Sequence, residues 1–253
     1  ARAWRQPTMF ERNGDVRAIY QGVLLVHPYL PNPDLRAPRT DSLELGYLGQ
    51  FPTWRTRLDV RLFTERIKDY ITRVSNLACN DPLKYGVLCE DLPPARYENL
   101  KTAVNLRGIE YQVDSSPRAG TRLLFSHTLI DRGSSERSVR QMTAPYTASL
   151  SWIQDWGGNW SSTLTALHMG PLAGGSGFVP TSTYVSKPYT TFDVRFARSM
   201  TFGASAVTVA LTATNLGGRH QEIADRAEQS RHGSTPANQT SPMVWLTLSI
   251  NPK

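Results

Sequence analysis

The chain has 253 residues, 40% of them hydrophobic and 19% charged, and its 28 basic against 21 acidic residues leave a formal charge of +7. No stretch approaches the roughly 18 consecutive apolar residues of a membrane-crossing helix; runs such as residues 23–26 reach no more than four. That excludes helical spans but not strand-built ones, in which alternation dilutes the apolar residues. Arginine supplies 23 of the basic residues without any block of five or more, and no recognition-helix pattern or RNA-binding aromatic motif accompanies it, so nucleic acid is set aside as a partner.

Residues 1–7 read as the end of a strand, followed by a long loop over 8–39 rich in Pro, Tyr and Asn. Residues 40–50 form the next strand, with Leu43, Leu45 and Tyr47 on one face, because strand side chains alternate with period two. A tight turn around Pro52 leads into 55–73, where Leu58, Val60 and Leu62 oppose Arg57, Asp59 and Arg61. A loop over 74–96 holds Cys79 and Cys89. Residues 97–115 come next, and their alternation slips at Gly108, where a β-bulge is expected to re-aim the side chains. A turn at 117–120 precedes a strand over 121–130, and 131–141 is a polar loop. The strand over 142–153 sets Tyr146, Ala148, Leu150 and Trp152 against Thr147, Ser149 and Ser151. A Gly-containing turn, a strand over 160–169 and a Gly/Ser/Thr-rich loop over 170–187 follow. Residues 188–198 carry Phe192, Val194 and Phe196 on the apolar face, and a turn near Gly203 leads to Val207, Val209, Leu211 and Ala213 in 205–215. The most polar loop, 216–241, precedes a last strand over 242–251 with Val244, Leu246, Leu248 and Ile250 alternating.

Ten strands result, nine of them whole, with every short turn at one end and every long loop at the other. A transmembrane β-barrel threads a bilayer in this way, whereas the Greek-key connections of a soluble β-sandwich mix lengths. The expected fold is all-β, an antiparallel transmembrane barrel wall of about ten strands. Parity puts the C-terminus on the short-turn side, the periplasmic side of an outer-membrane barrel. The two cysteines, with no further ligand at metal spacing, read as a loop disulfide and so as an oxidising compartment. The chain starts at Ala1 in mid-pattern without a signal peptide, which reads as a piece of something longer.

No catalytic constellation accompanies the pattern. The histidines at 27, 127, 168, 220 and 232 form no His-x-x-x-His pair, the Gly174-Gly175-Ser176-Gly177 run lacks nucleophile-elbow spacing, and there is no phosphate or calcium loop. The expectation is neither an enzyme nor a resident metal or cofactor. Arg57, Asp59, Arg61, Asp193 and Arg195 fall on polar strand faces, where lumenal charges are tolerated and lipid-facing ones are not. Asn159-Trp160-Ser161 and Asn238-Gln239-Thr240 match the glycosylation pattern, a chance match in a bacterial barrel.

Three stretches resemble the TonB-dependent outer-membrane receptors. Arg5-Gln6-Pro7-Thr8-Met9-Phe10-Glu11 is similar to the Arg-x-Pro-(Ser/Thr)-x-x-Glu stretch where a late barrel strand meets an extracellular loop. Asn32-Pro33-Asp34-Leu35, followed by Leu43-Glu44-Leu45-Gly46-Tyr47, resembles the Asn-Pro-x-Leu segment leading into a Glu-x-Gly strand. Tyr97-Glu98-Asn99-Leu100 through Gly108-Ile109-Glu110 resembles the family's Asn-to-Gly-(Val/Ile)-Glu strand, and Asn215-Leu216 sits where the family often has Asn-Leu. The chain departs from the pattern at Ala37-Pro38-Arg39, where Pro-Glu is usual, and at Ile250-Asn251-Pro252-Lys253, where the family commonly ends on an aromatic residue.

The resemblance implies that residues 1–253 are the C-terminal part of a barrel of about 22 strands, whose N-terminal plug domain lies outside this sequence. It implies an outer-membrane receptor of a Gram-negative bacterium that imports a scarce, bulky ligand, above all a ferric siderophore, driven by the TonB–ExbB–ExbD complex through the plug. A haem receptor of the same family, with His27 toward the iron, and a passive porin-like or adhesive barrel are the alternatives. Tyr20, His27 and Tyr29 in the first loop, and Tyr184 and Lys187 in the fifth, are the candidate ligand contacts, since aromatic and cationic groups suit an anionic iron complex.

Overall fold

The computed structural model describes residues 1–75, 79, 81–90, 94–135, 140, 143–172, 186–222 and 239–252. In chain order it contains β1 (Arg2–Trp4), α1 (Met9–Asn13), β2 (Val16–Tyr20), β3 (Val23–Tyr29), β4 (Arg39–Phe51), β5 (Thr56–Lys68) and β6 (Ile71–Ser75). The short helix α2 (Pro82–Tyr85) is followed by β7 (Ala95–Asn99), β8 (Val104–Arg118), β9 (Thr121–Gly133), β10 (Tyr146–Gly157) and β11 (Trp160–Met169). β12 (Tyr189–Phe202), β13 (Ser205–Thr214), β14 (His220–Gln221), β15 (Gln239–Thr240) and β16 (Met243–Pro252) complete it.

Ten of these strands form one curved wall in the order β1-β4-β5-β8-β9-β10-β11-β12-β13-β16, with the stub β1 at one edge and β16 at the other. Every neighbouring pair is antiparallel. The wall is therefore the nine whole strands and one partial strand that the alternation predicts. The turns at one end are tight because residues with positive φ reverse the chain there. Gly158 (φ 57°) and Asn159 (φ 65°) join β10 to β11, the pair of left-handed conformations that a two-residue hairpin turn requires.

Directly paired residues share a face, so the register sorts the side chains. Leu45 pairs with Leu62, Leu62 with Ile109 and Ile109 with Leu129, and Leu211 pairs with Leu246. This apolar face is bare: Leu43 is 72% exposed and Leu246 70%, an arrangement that water penalises and hydrocarbon does not. Near the short turns it ends in paired aromatic rings, Phe51 on Trp54 at 5.7 Å, Trp152 against Trp156 at 5.8 Å and Trp160 on Phe196 at 4.9 Å. Such a girdle marks a membrane interface. The opposite face carries hydroxyl pairs, Ser126 with Ser149 at 2.7 Å, Ser151 with Thr165 at 3.0 Å and Ser199 with Thr208 at 3.0 Å.

Four local expectations are corrected. Gly108 is not a bulge: the ladders run unbroken through Phe63–Gly108 and Gly108–Ile130, and the register shift of β8 against β9 lies between Ser115 and Arg118. Gly108 answers a shortage of space, since a Cβ there would lie 2.5 Å from Phe63 Cζ and 2.6 Å from the Leu129 carbonyl oxygen. The expected strand over 55–73 ends at Lys68, because Asp69 turns to φ 55°, and its remainder becomes β6. The start of the strand expected over 97–115 likewise becomes β7, and the loop over 8–39 contains α1 and the β2–β3 hairpin.

These displaced pieces assemble into a second sheet of order β2-β3-β7-β6 at the long-loop end, with β3 and β7 parallel and the other pairs antiparallel. It holds the densest core, where Tyr29, Leu35, Ile71, Cys89, Pro94 and Ala95 are buried. The wall itself buries few side chains because one face is polar and the other is open.

Candidate functional site

The loop sheet is fastened to the wall by the residues that the sequence marks as motifs. Thr8 caps α1, its hydroxyl accepting from Glu11 N at 3.1 Å while the Glu11 carboxylate accepts from Thr8 N at 2.7 Å, a reciprocal capping box. The Arg5 guanidinium donates to both Glu11 oxygens, at 2.8 and 2.9 Å. That fork holds the Glu11 carboxyl below the usual carboxylate range, partly offset by burial. Pro7 lies between them, half-buried. A five-residue helix cannot stand alone, so cap and fork account for its presence.

Two asparagines tie the loop segments together. Asn32 donates through Nδ2 to the Tyr97 carbonyl at 2.8 Å and accepts from Asp34 N at 3.3 Å, while its own backbone N–H donates to Arg12 O. Pro33 offers its carbonyl to Arg12 Nε at 2.8 Å, and Leu35 is buried beside it. Asn99 donates to the carbonyls of Arg36 (2.9 Å) and Asp69 (2.7 Å) and accepts from Arg36 N (2.8 Å). Together they pin the first loop, the β5–β6 break and β7 at one junction.

Beneath α1, Phe10 packs edge-on against Tyr29 and Tyr97 at 5.1 and 6.2 Å, and the two tyrosines stack at 6.5 Å. The Arg73 guanidinium lies 5.2 Å from the Tyr29 ring centre. Burial, then the neighbouring Tyr29, push the Tyr97 phenol above its ordinary value. His27 is also interior, with Nδ1 donating to the Lys84 carbonyl at 3.0 Å and Nε2 against Asp15 Oδ1 at 2.6 Å. Arg17, first, and His27 together hold the Asp15 carboxyl below its usual range. The contact to Lys84, with backbone bonds from Val87 to Leu24 and Leu88 to Leu25, docks α2 and its flank onto β3. A disulfide between Cys79 and Cys89 closes that flank.

The candidate contacts thus separate. Tyr20 is exposed at the tip of the β2–β3 hairpin, where Gln21 and Gly22 take positive φ. Lys187 is exposed next to the start of β12. His27 and Tyr29 are buried in the loop sheet, and Tyr184 lies outside the described residues. Sequence reasoning passed over Arg73, Asn99 and Tyr97 as individual residues; their places depend on a sheet that the alternation does not reveal.

The polar face of the wall carries two charge ladders. Arg61 meets Glu110 at 2.5 Å and Glu44 at 3.6 Å. Gly46, opposite Arg61 in the register, has no side chain to block that span. Asp114 lies between Arg57 at 3.5 Å and Arg122 at 2.9 Å. A depression lined by Asp59, Arg61, Glu110, Gln112, Ser126 and Thr128 runs along this face. A charged wall below the loop sheet can hold a polar guest.

The family model "TonB dependent receptor-like, beta-barrel" matches residues 1–216. Among solved structures, copper transporter OprC superposes with a TM-score of 0.69 at 13% identity, covering 99% of this chain and 35% of that one. A mutant of the ferric enterobactin receptor PfeA from Pseudomonas aeruginosa gives 0.67 at 14% identity, over 99% and 37%. The ferric-catecholate import receptor Fiu from E. coli K12 gives 0.60 at 14% identity, over 87% and 28%. The chain therefore spans about a third of the length of the structures it matches. No curated protein matches it.

Proposed function

The chain belongs to the TonB-dependent receptor β-barrel family, whose members are outer-membrane proteins, and from that premise we propose that the protein imports a ferric siderophore. The observation that carries this reading is the loop sheet, a cored and disulfide-closed unit over one end of a wall whose inner face is charged. Loops without such a core would give a passive pore nothing to capture with, while a pre-ordered one lowers the entropy cost of holding a ligand. In this reading Tyr20, Lys187 and Tyr184 meet the ligand, and His27 and Tyr29 act from beneath by fixing the surface they stand on. The long loops face the exterior and the C-terminus the periplasm. The TonB–ExbB–ExbD complex supplies the energy through a plug domain.

Two of the similar structures are titled a ferric-catecholate import receptor and a ferric enterobactin receptor, which favours an iron complex with a catecholate shell; a third is titled a copper transporter. The test is uptake of radioactive iron by iron-starved cells whose only such receptor is the full-length gene product. TonB-dependent uptake of a ferric catecholate supports the reading. Uptake of haem or copper instead transfers it to another ligand, and uptake that persists without TonB overturns active import.

A further inference from the structure

His27 is buried in the loop sheet, 6% exposed, and both of its ring nitrogens face acceptors. Nδ1 meets the Lys84 carbonyl oxygen at 3.0 Å and Nε2 meets Asp15 Oδ1 at 2.6 Å. A carbonyl oxygen has no proton to donate, and neither has an ionised carboxylate. Asp15 is kept ionised by Arg17, whose Nε and Nη2 donate to its two oxygens at 2.9 and 2.8 Å. A neutral imidazole carries one N–H, so it satisfies one of these partners and turns a lone pair toward the other. Only the imidazolium, with an N–H at each end, makes both bonds. With both nitrogens taken by the protein, neither is left for a metal.

The ring joins three segments: the turn entering β2, through Asp15; β3, which carries it; and α2, through Lys84. Helix α2 has four residues and cannot hold itself. Its flank lies tight on β3, where a Cβ on Gly86 would be 2.3 Å from the Leu25 carbonyl oxygen. The Val87 and Leu88 amides donate to the Leu24 and Leu25 carbonyls at 3.1 and 2.9 Å. The other ionisable groups on these elements have occupations of their own. Asp81 caps α2, and the Lys84 ammonium lies over the Tyr85 ring at 5.1 Å. Two residues along β3, Tyr29 has the Arg73 guanidinium over its ring.

We infer that His27 is a proton-operated latch of the loop sheet. Its imidazolium fastens α2 and the turn before β2 onto β3, and loss of the second proton opens one of the two bonds. The bond to the Asp15 carboxylate is charge-assisted and the stronger of the two, so the Lys84 side gives way and the α2 flank loosens. Through the range where the ring titrates, the fastened state binds more protons than the released one, so acid favours fastening and alkali favours release. The device is local: β4 and β5 are held by their own ladders.

The experiment uses the full-length receptor in detergent with its disulfide intact, at about pH 5 and about pH 8.5, on either side of the range where imidazole side chains titrate. Hydrogen exchange at the Val87 and Leu88 amides is corrected for the intrinsic effect of pH. Their protection is expected to fall about tenfold or more at the higher pH. Ring-labelled histidine is expected to show His27, identified by the loss of its signal in His27→Gln, passing from two N–H groups to one over the same interval. Asp15→Asn supplies the discriminating variant. Its amide can donate to Nε2, which leaves Nδ1–H for the Lys84 carbonyl, so a neutral ring then serves both partners. Protection in that variant should stay within about threefold between the two pH values, whereas His27→Gln should be poorly protected at both. Exchange in β4 and β5, unchanged throughout, shows that each variant is folded. Equal protection of the unaltered receptor at both pH values, or a pH dependence that survives in Asp15→Asn, overturns the inference. The readout needs no ligand, so its failure and a failure of uptake are separate results.

Discussion

Gly108 sits in mid-strand where the alternation of side chains slips, and the reason is steric. With Phe63 Cζ 2.5 Å and the Leu129 carbonyl 2.6 Å from where a Cβ would be, Gly108→Ala is expected to cost about 1–3 kcal/mol through overpacking. A lowered midpoint of the heat-modifiable transition would show it, and Phe63→Leu should restore only part because the carbonyl cannot retreat. Glu11 offers a pH test. Its carboxyl is depressed in the folded state by Arg5, so between the folded and unfolded values the folded chain binds fewer protons. The contribution is complete above the unfolded carboxylate range, near pH 4, and is lost as pH falls through the depressed folded value. Hydrogen exchange at the α1 amides should accelerate on that acidification. Glu11→Gln should remove the pH dependence and about 1 kcal/mol of local stability with the capping contact. The sequence showed these residues as a spaced motif, but the fork between Arg5 and Glu11 is a matter of side-chain geometry.

Among the elements, α2 and its flank are the most dependent on a single covalent link. Closing a loop with a sequence separation of 10 is worth about 2–3 kcal/mol on the chain-entropy account. Replacing Cys79 and Cys89 by serine should therefore raise exchange at the Val87 and Leu88 amides, which bond to Leu24 and Leu25. Protection in β4 and β5 should stay unchanged, since those strands are held by their own ladders. Equal loss in both regions would mean that the loop sheet and the wall unfold as one. Element identity was legible for the wall because one face of each strand is apolar and the other polar. It was not legible for β2, β3, β6 and β7. Those strands are short, β2 is exposed along its whole length, and the sheet is joined only where β3 meets β7 from a distant segment.

For the whole molecule, the assignment of faces makes a symmetrical prediction. Leu246→Arg places a cation on the bare apolar face and should cost about 2–4 kcal/mol when near the bilayer midplane, while Thr208→Arg, on the polar face, should cost little. Equilibrium unfolding in lipid vesicles measures both, and equal costs would mean the faces are misassigned. That two-faced wall is what the sequence determined by itself: the alternation with period two, the strict parity of short turns and long loops, and the motifs that mark where loops meet strands. Local stereochemistry and water's rejection of apolar surface are enough to write such a pattern along a chain. Only the tertiary structure decided that the first two long loops form a sheet of their own, that His27 and Tyr29 lie inside it, and that the ladder runs unbroken through Gly108. Each depends on segments tens of residues apart coming into contact, and the cost and reward of that contact are set by packing, which no local periodicity records.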